Sequence, residues 1–141
     1  MTDKYRKSEN WKREGKGFLV MVNHYTEPTG REESACFDSE GQHRWCVYAY
    51  VYPSHPHFAA FDGTETMWQG AASMMPGHSY PSLLRIHTKQ PDHDIASYQV
   101  GWDYNHDGDW SYTQMADPKD AYSVFADADK LFDWLTERGK T

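Results

Sequence analysis

Residues 44–52 (RWCVYAYVY) constrain the fold more than any other part of the chain. Their β-branched and aromatic side chains favour a pleated surface, and the run is dense enough to be buried on both faces of a sheet. Pro53 and Pro56 end the run, because proline cannot donate a hydrogen bond to a strand ladder. This segment therefore predicts a strand inside a sheet.

The rest of the chain predicts further strands followed by one helix. The other strand segments are residues 17–24, 66–73, 82–89 and 95–104. After the pair Asp117-Pro118, which resembles an N-cap followed by proline, apolar residues recur at steps of three and four up to Gly139. The apolar positions are Val124, Ala128, Leu131 and Leu135. In an alternative interpretation of the start of this segment, residues 122–125 form a last strand. We expect an α+β fold, with an antiparallel or mixed sheet and a C-terminal amphipathic helix packed on it.

The length of 141 residues predicts a single domain. Residues 1–16 contain six basic and three acidic residues, and we expect them to form a mobile polar arm before a domain at residues 17–141. The chain lacks an 18-residue apolar run and an apolar signal segment, which predicts a cytoplasmic protein that does not enter a membrane. Cys36 and Cys46 are accordingly expected to be reduced thiols.

Charge and aromatic content restrict the possible ligands. The net charge is −7, with 14 basic and 21 acidic residues, so a duplex nucleic acid is not the expected partner. Aromatic residues make up 16% of the chain, which predicts either an aromatic core or a stacking pocket for a planar ligand. Both can hold in one protein.

The segment 103–109 (DYNHDGD) allows three interpretations. It matches the first half of a calcium-binding loop, but Gln114 stands where that loop needs a bidentate carboxylate. Its Asp, Asn and Gly residues are also typical of a tight turn between strands, with residues 111–113 then forming a strand. In the third interpretation, Asp103, His106 and Asp109 face a ligand pocket.

His55 lies between two prolines, which fix the backbone around it. An imidazole held in one direction suits a phosphate contact or a proton transfer. His55 and His57 lack a third metal ligand close in sequence and no Cys-x-x-Cys pair occurs, so neither a metal nor a cofactor is expected. The usual nucleophile and phosphate-loop motifs are absent too, which favours a protein without catalytic activity.

The combination of flat rings and a few cations is typical of nucleotide recognition. Candidate stacking residues are Trp45, Tyr48 and Trp68, and candidate phosphate contacts are Arg44, His55 and Arg85. Arg85 and His87 alternate along one predicted strand and so share one of its faces.

Three blocks of the chain resemble a family of small phage and prophage proteins. The first includes Trp45-Cys46, Tyr48 and His55-Pro56, the second is residues 69–73 with Gly70, and the third is residues 100–109. The resemblance implies functional positions, which are Trp45, Cys46, Tyr48, His55, Pro56, Gly70, Asp103, His106, Gly108 and Asp109. Gln69 stands where the family has a histidine, so a site that uses this histidine is not implied here.

By analogy with phage proteins that sequester cyclic nucleotide signals of bacterial immunity, we expect a non-catalytic anti-defence protein. It would bind a small nucleotide-type ligand in the host bacterial cytoplasm, as a homo-oligomer with the pocket between subunits. One alternative is a protein that inhibits a host defence enzyme through its acidic surface. The other is a hydrolase that uses His55, His106 and Asp109.

Overall fold

The computed structural model describes residues 8–27, 41–61, 75–77, 83–104 and 109–140. They contain five strands and one helix: β1 (Ser8–Gly15), β2 (Phe18–Thr26), β3 (His43–Val51), β4 (Leu83–Thr88), β5 (Ile95–Asp103) and α1 (Tyr122–Arg138). The strands form an antiparallel sheet in the order β1-β2-β3-β5-β4, which confirms the predicted α+β class with a C-terminal helix. The strand predicted at residues 66–73 lies outside the described residues.

The strand β3 lies at the centre of the sheet, between β2 and β5. Val47, for example, is opposite Val22 on one side and Trp102 on the other, and these three residues are fully buried. Because side chains alternate along a strand, the odd-numbered residues of β3 point to one face, where α1 packs. Phe125 of α1 meets the ring of Trp45 edge-on at 6.0 Å, which identifies this side as the helix-covered face.

The helix α1 buries the predicted stripe of Val124, Ala128, Leu131 and Leu135 and ends before Gly139, as expected. Its start differs from the prediction, because the helix begins at Tyr122 and its N-cap is Ala121. The Asp117 carboxylate instead accepts a hydrogen bond from the Lys119 N–H at 2.9 Å. Asp117 therefore stabilises a turn that precedes the helix.

The prediction of an arm over residues 1–16 is wrong for Ser8–Gly15, which form the edge strand β1. Each residue of β1 is paired with β2, from Ser8 opposite Tyr25 to Gly15 opposite Phe18. Trp11 packs on Trp45 with the ring centroids 5.9 Å apart and the planes 18° from parallel. The Arg13 guanidinium also lies over the ring of Phe132, 3.7 Å from its centroid, so Trp11 and Arg13 both attach the strand to the helix-covered face. Residues 1–7 lie outside the described residues.

Two short 3-10 segments complete the described structure, Phe58–Phe61 after β3 and Trp110–Gln114 before α1. The second segment shows that the strand predicted at residues 111–113 is wrong, because these residues form a 3-10 turn. Within the ranges that the structure describes, no helix is both long enough and apolar enough to cross a membrane.

Candidate functional site

The side of the sheet opposite α1 presents a group of polar and aromatic side chains. Directly paired residues of antiparallel strands point to the same face. The register places Tyr50, Gln99 and Arg85 in one cross-strand row, with Tyr48 opposite Gly101 in the next row and Cys46 opposite Asp103 beyond it. We call this side the helix-free face because α1, the α-helix of the described residues, packs on the opposite side. Its residues with a potential role are Tyr48, Tyr50, Arg85, His87, Gln99 and Asp103.

Tyr48 lies against the sheet because its neighbour on β5 has no side chain. A Cβ atom at Gly101 would be 2.9 Å from Cδ1 of Tyr48, so the ring extends over the position that a larger residue would fill. Burial, followed by Cys46, Tyr25 and Asp103, raises the pKa of the Tyr48 phenol well above its ordinary value. The half-buried ring is therefore neutral and in a fixed position.

Tyr50 and His87 face each other across β5, with their ring centroids 5.9 Å apart. His87 Nε2 donates a hydrogen bond of 2.7 Å to Oε1 of the buried Gln99, which fixes the orientation of the imidazole. Burial and Tyr52 raise the pKa of Tyr50, while Arg85 opposes this increase. Arg85 is exposed, and none of the residues that the structure describes forms an ion pair with it.

Asp103 is at the end of β5 and is half-buried on the same face as Tyr48. Asp109 is buried elsewhere, and its carbonyl accepts a hydrogen bond from the Tyr112 N–H at the start of the 3-10 segment Trp110–Gln114. Residues 105–108 lie outside the described residues, and so does the predicted site residue His106. The calcium and turn interpretations of this segment therefore both stay predictions.

Two predicted ligand contacts have structural roles instead. The Trp45 ring is only 1% exposed, and its Nε1 donates to the carbonyl of Met115 at 2.9 Å, so no ligand base can stack on it. Arg44 is also buried, and its Nη1 donates to the carbonyls of Gly41 and His43 at 2.8 and 3.0 Å. Glu27 lies 3.7 Å from Arg44 Nε. The guanidinium therefore stabilises the start of β3.

His55 is held rigidly, as predicted, but it is 2% exposed and faces the protein interior. Its Nδ1 accepts a hydrogen bond from the His57 N–H at 3.0 Å, and its Nε2 donates to the carbonyl of Leu135 at 2.9 Å. Both ring nitrogens are thus engaged in hydrogen bonds within the protein. The phosphate contact and the proton transfer predicted for His55 both need a ring nitrogen that this geometry does not leave available.

Of the nine predicted site residues, the structure brings Tyr48, Arg85 and Asp103 together on the helix-free face. Trp68 is outside the described residues. Sequence reasoning missed Tyr50 and Gln99 as neighbours of Arg85. The alternation within residues 47–51 was the available signal, since Tyr48 and Tyr50 occupy even positions, opposite in direction to the apolar odd positions.

A chain of three polar side chains at the other end of β3 was also missed. Glu9 Oε1 lies 3.3 Å from His24 Nδ1, and His24 Nε2 lies 2.9 Å from His43 Nδ1. The two imidazole centroids are 5.1 Å apart with planes at 19°, so the rings meet edge to edge along their hydrogen bond. Burial, then His24 and Arg44, lower the pKa of His43.

This chain is linear and does not converge on one point, as metal ligands must. Among the residues that the structure describes, no group of three His, Cys, Asp or Glu side chains could hold a metal ion.

Comparison with known proteins gave no match to a family model, to a curated protein or to a solved structure. The chemistry of the helix-free face is therefore the basis for assigning a function.

Proposed function

We propose that the protein binds a small nucleotide-type ligand on the helix-free face without transforming it. The observation that supports this proposal is the row of Tyr50, Gln99 and Arg85, in which a ring and an exposed guanidinium lie on either side of Gln99. In keeping with the resemblance to phage proteins, we propose that such binding withholds a nucleotide signal from bacterial defence in the host cytoplasm.

The rings of Tyr48 and Tyr50 would provide the stacking surface. Aromatic side chains on a sheet are a common platform for bases, and stacking contributes about 1–3 kcal/mol per base. A tyrosine phenol is neutral at neutral pH, and the raised pKa values of Tyr48 and Tyr50 favour the same form, so these rings do not repel the phosphates of the ligand. Tyr48 is additionally fixed against Gly101, which limits the rotamer entropy lost on binding.

Arg85 would contact the phosphate. A guanidinium binds phosphate through two parallel hydrogen bonds, and Arg85 has no carboxylate partner among the described residues that would compete. The imidazole of His87, oriented by Gln99, lies on the same strand two residues away and supplies a second polar contact. One or two cations suffice for a small ligand, whereas a polymer would meet repulsion from the net charge of −7.

The two alternative functions have less support. The hydrolase hypothesis loses His55, whose ring nitrogens are both hydrogen-bonded inside the protein. The acidic surface needed for a protein inhibitor is partly neutralised on α1, since Asp129 pairs with Arg13 at 2.9 Å and Glu137 with Lys140 at 2.9 Å. We retain the homo-oligomer as part of the proposal, because a second copy facing this side of the sheet would enclose the ligand.

The experiment is a retention assay. Purified protein is incubated with a panel of cyclic di- and trinucleotides, freed of unbound ligand and denatured by heat, and the released nucleotide is identified by mass spectrometry. We expect one intact nucleotide from the wild type and at least tenfold weaker binding in Tyr50→Ala and Arg85→Ala. Tyr122→Ala, which removes a 73% exposed ring at the start of α1, serves as the matched control.

Each other outcome contradicts the proposal. Absence of any retained nucleotide would overturn it, and so would equal retention by Tyr50→Ala, Arg85→Ala and the wild type. A cleaved nucleotide would favour the hydrolase. A stable partner protein from host lysate, without a bound small molecule, would favour the protein inhibitor.

A further inference from the structure

A second candidate site lies on the helix side of the sheet, where α1 ends. It is a cavity of about 460 Å³, within the size range of small-molecule sites. Three segments form its walls: the turn between β1 and β2, the loop after β3, and the last turn of α1. We call it the C-terminal cavity.

The walls of the C-terminal cavity are held together by His55. Its Nε2 donates to the Leu135 carbonyl, which joins the loop after β3 to α1. Gly17, in the left-handed region with φ of 82°, packs so closely that a Cβ atom there would be 2.9 Å from the His55 nitrogen. The Gly17 carbonyl also accepts a hydrogen bond from the Tyr52 N–H at 3.0 Å. The cavity is therefore formed before any ligand binds.

The lining combines an apolar floor with two ammonium groups. Phe18, Pro56 and Leu135 contribute the apolar part, while Lys16 and Lys140 come from different segments of the wall. No residue that the structure describes forms an ion pair with Lys16. Lys140 pairs with Glu137, but both side chains are about two-thirds exposed, so a ligand can displace this weak pair.

The end of a helix normally repels an anion, because its last carbonyls are unsatisfied. Here the Leu135 carbonyl accepts hydrogen bonds from His55 Nε2 and from the Gly139 N–H at 3.0 Å. The Thr136 carbonyl also accepts from the Gly139 N–H, at 3.1 Å. These donors reduce the negative potential that faces the cavity, so that the two lysines determine its preference.

We propose that the C-terminal cavity binds a small organic phosphate with an apolar body. A phosphate monoester has a charge close to −2 at neutral pH, which matches two ammonium groups, and its apolar part would lie over the exposed ring of Pro56. This site is separate from the helix-free face, and the inference does not depend on the proposed function.

The test is a titration of the isotope-labelled protein followed by amide NMR, with phenyl phosphate, inorganic phosphate and phenol as probes. We expect saturable shifts at Ser54 and Gly139 with phenyl phosphate, and about tenfold weaker binding of the two partial probes. The double variant Lys16→Met, Lys140→Met should bind phenyl phosphate about tenfold more weakly than the wild type. Lys130→Met, an exposed lysine of α1 outside the cavity, should leave the affinity unchanged.

Three results would overturn the proposal. The first is the absence of saturable shifts at Ser54 and Gly139. The second is an unchanged affinity of the double variant, which would show that the lysines do not bind the phosphate. The third is equal binding of phenol and phenyl phosphate. Because all the substituted lysines are exposed, the variants are expected to fold, and their dispersed spectra would verify it.

Discussion

The two faces of β3 differ in what their side chains do. Trp45, Val47, Ala49 and Val51 point to the helix-covered face and are at most 1% exposed, whereas Tyr48 and Tyr50 on the other face are half-buried and accompanied by polar neighbours. The first set is fixed by packing against β2, β5 and α1. The second set includes groups that the core does not need, which makes their chemistry informative about function.

The largest effect that separates the two faces is expected from Trp45→Ala. This variant removes a buried ring that packs on Trp11 and His24, and it leaves the Met115 carbonyl without its donor. We expect a loss of about 3–5 kcal/mol in the free energy of unfolding, measured with urea. Trp110→Ala, at a ring that is 53% exposed, is the matched control and should change stability by less than about 0.5 kcal/mol. Similar losses in both variants would contradict the assignment of Trp45 to the core.

The next largest effect tests whether His55 belongs to the fold or to a ligand site. His55→Ala leaves the His57 N–H without its acceptor and removes one of the two donors to the Leu135 carbonyl, and it also removes a buried ring. We therefore expect a loss of about 2–4 kcal/mol in the free energy of unfolding. Nucleotide retention per folded molecule should not change. A stable variant that loses retention would restore His55 as a ligand contact.

A smaller effect concerns pH. Burial is the first cause that lowers the pKa of His43 and of His57, followed by His24 and Arg44 for the former and by Arg138 and His55 for the latter. The unfolded chain therefore takes up protons near pH 6.5 while the folded chain resists them. The free energy of unfolding should be level above that pH and should fall as the pH decreases through and below it.

Urea unfolding at a series of pH values from 7.5 to 5 measures this dependence. The double variant His43→Gln, His57→Gln should show a weaker dependence of the free energy of unfolding on pH. At these two positions, neither the folded nor the unfolded chain then takes up a proton. A wild-type stability that stays constant or rises on acidification would contradict the lowered pKa values of His43 and His57 in the folded protein.

The smallest effect on stability is expected on the helix-free face. Arg85 is exposed and unpaired among the described residues, so Arg85→Ala should change the free energy of unfolding by less than about 0.5 kcal/mol. Urea unfolding measures it, with Arg85→Lys as a variant that keeps the charge. A loss above 1 kcal/mol would show that Arg85 supports the fold, and it would weaken the comparison between the faces.

Local sequence patterns were sufficient to predict much of the fold. The β-branched and aromatic run at residues 44–52 and the apolar stripe from Val124 to Leu135 each depend on neighbours close in the chain. The strand β1 was missed because it is stabilised by backbone pairing with β2. Apart from Trp11, its side chains are polar, and Gly15 has none. A polar edge strand has little apolar periodicity from which it could be recognised.

The candidate site was less predictable, because it depends on which strands become neighbours. β5 inserts between β3 and β4, so Tyr50 and Arg85 lie in one row although they are 35 positions apart in the chain. For His55, the flanking prolines correctly indicated a rigid ring. They could not indicate that Leu135, 80 positions later, accepts its hydrogen bond.

The most direct test of the account is to observe side-chain N–H signals from both faces while a retained nucleotide is added. Arg85 Nε and the Gln99 amide report on the helix-free face, and the Trp45 indole, bonded to the Met115 carbonyl, reports on the helix-covered face. We predict that the Arg85 and Gln99 signals shift and saturate with the ligand, while the Trp45 indole signal stays in place. A saturable shift of the Trp45 indole, with Arg85 and Gln99 unchanged, would contradict the assignment of ligand binding to the helix-free face.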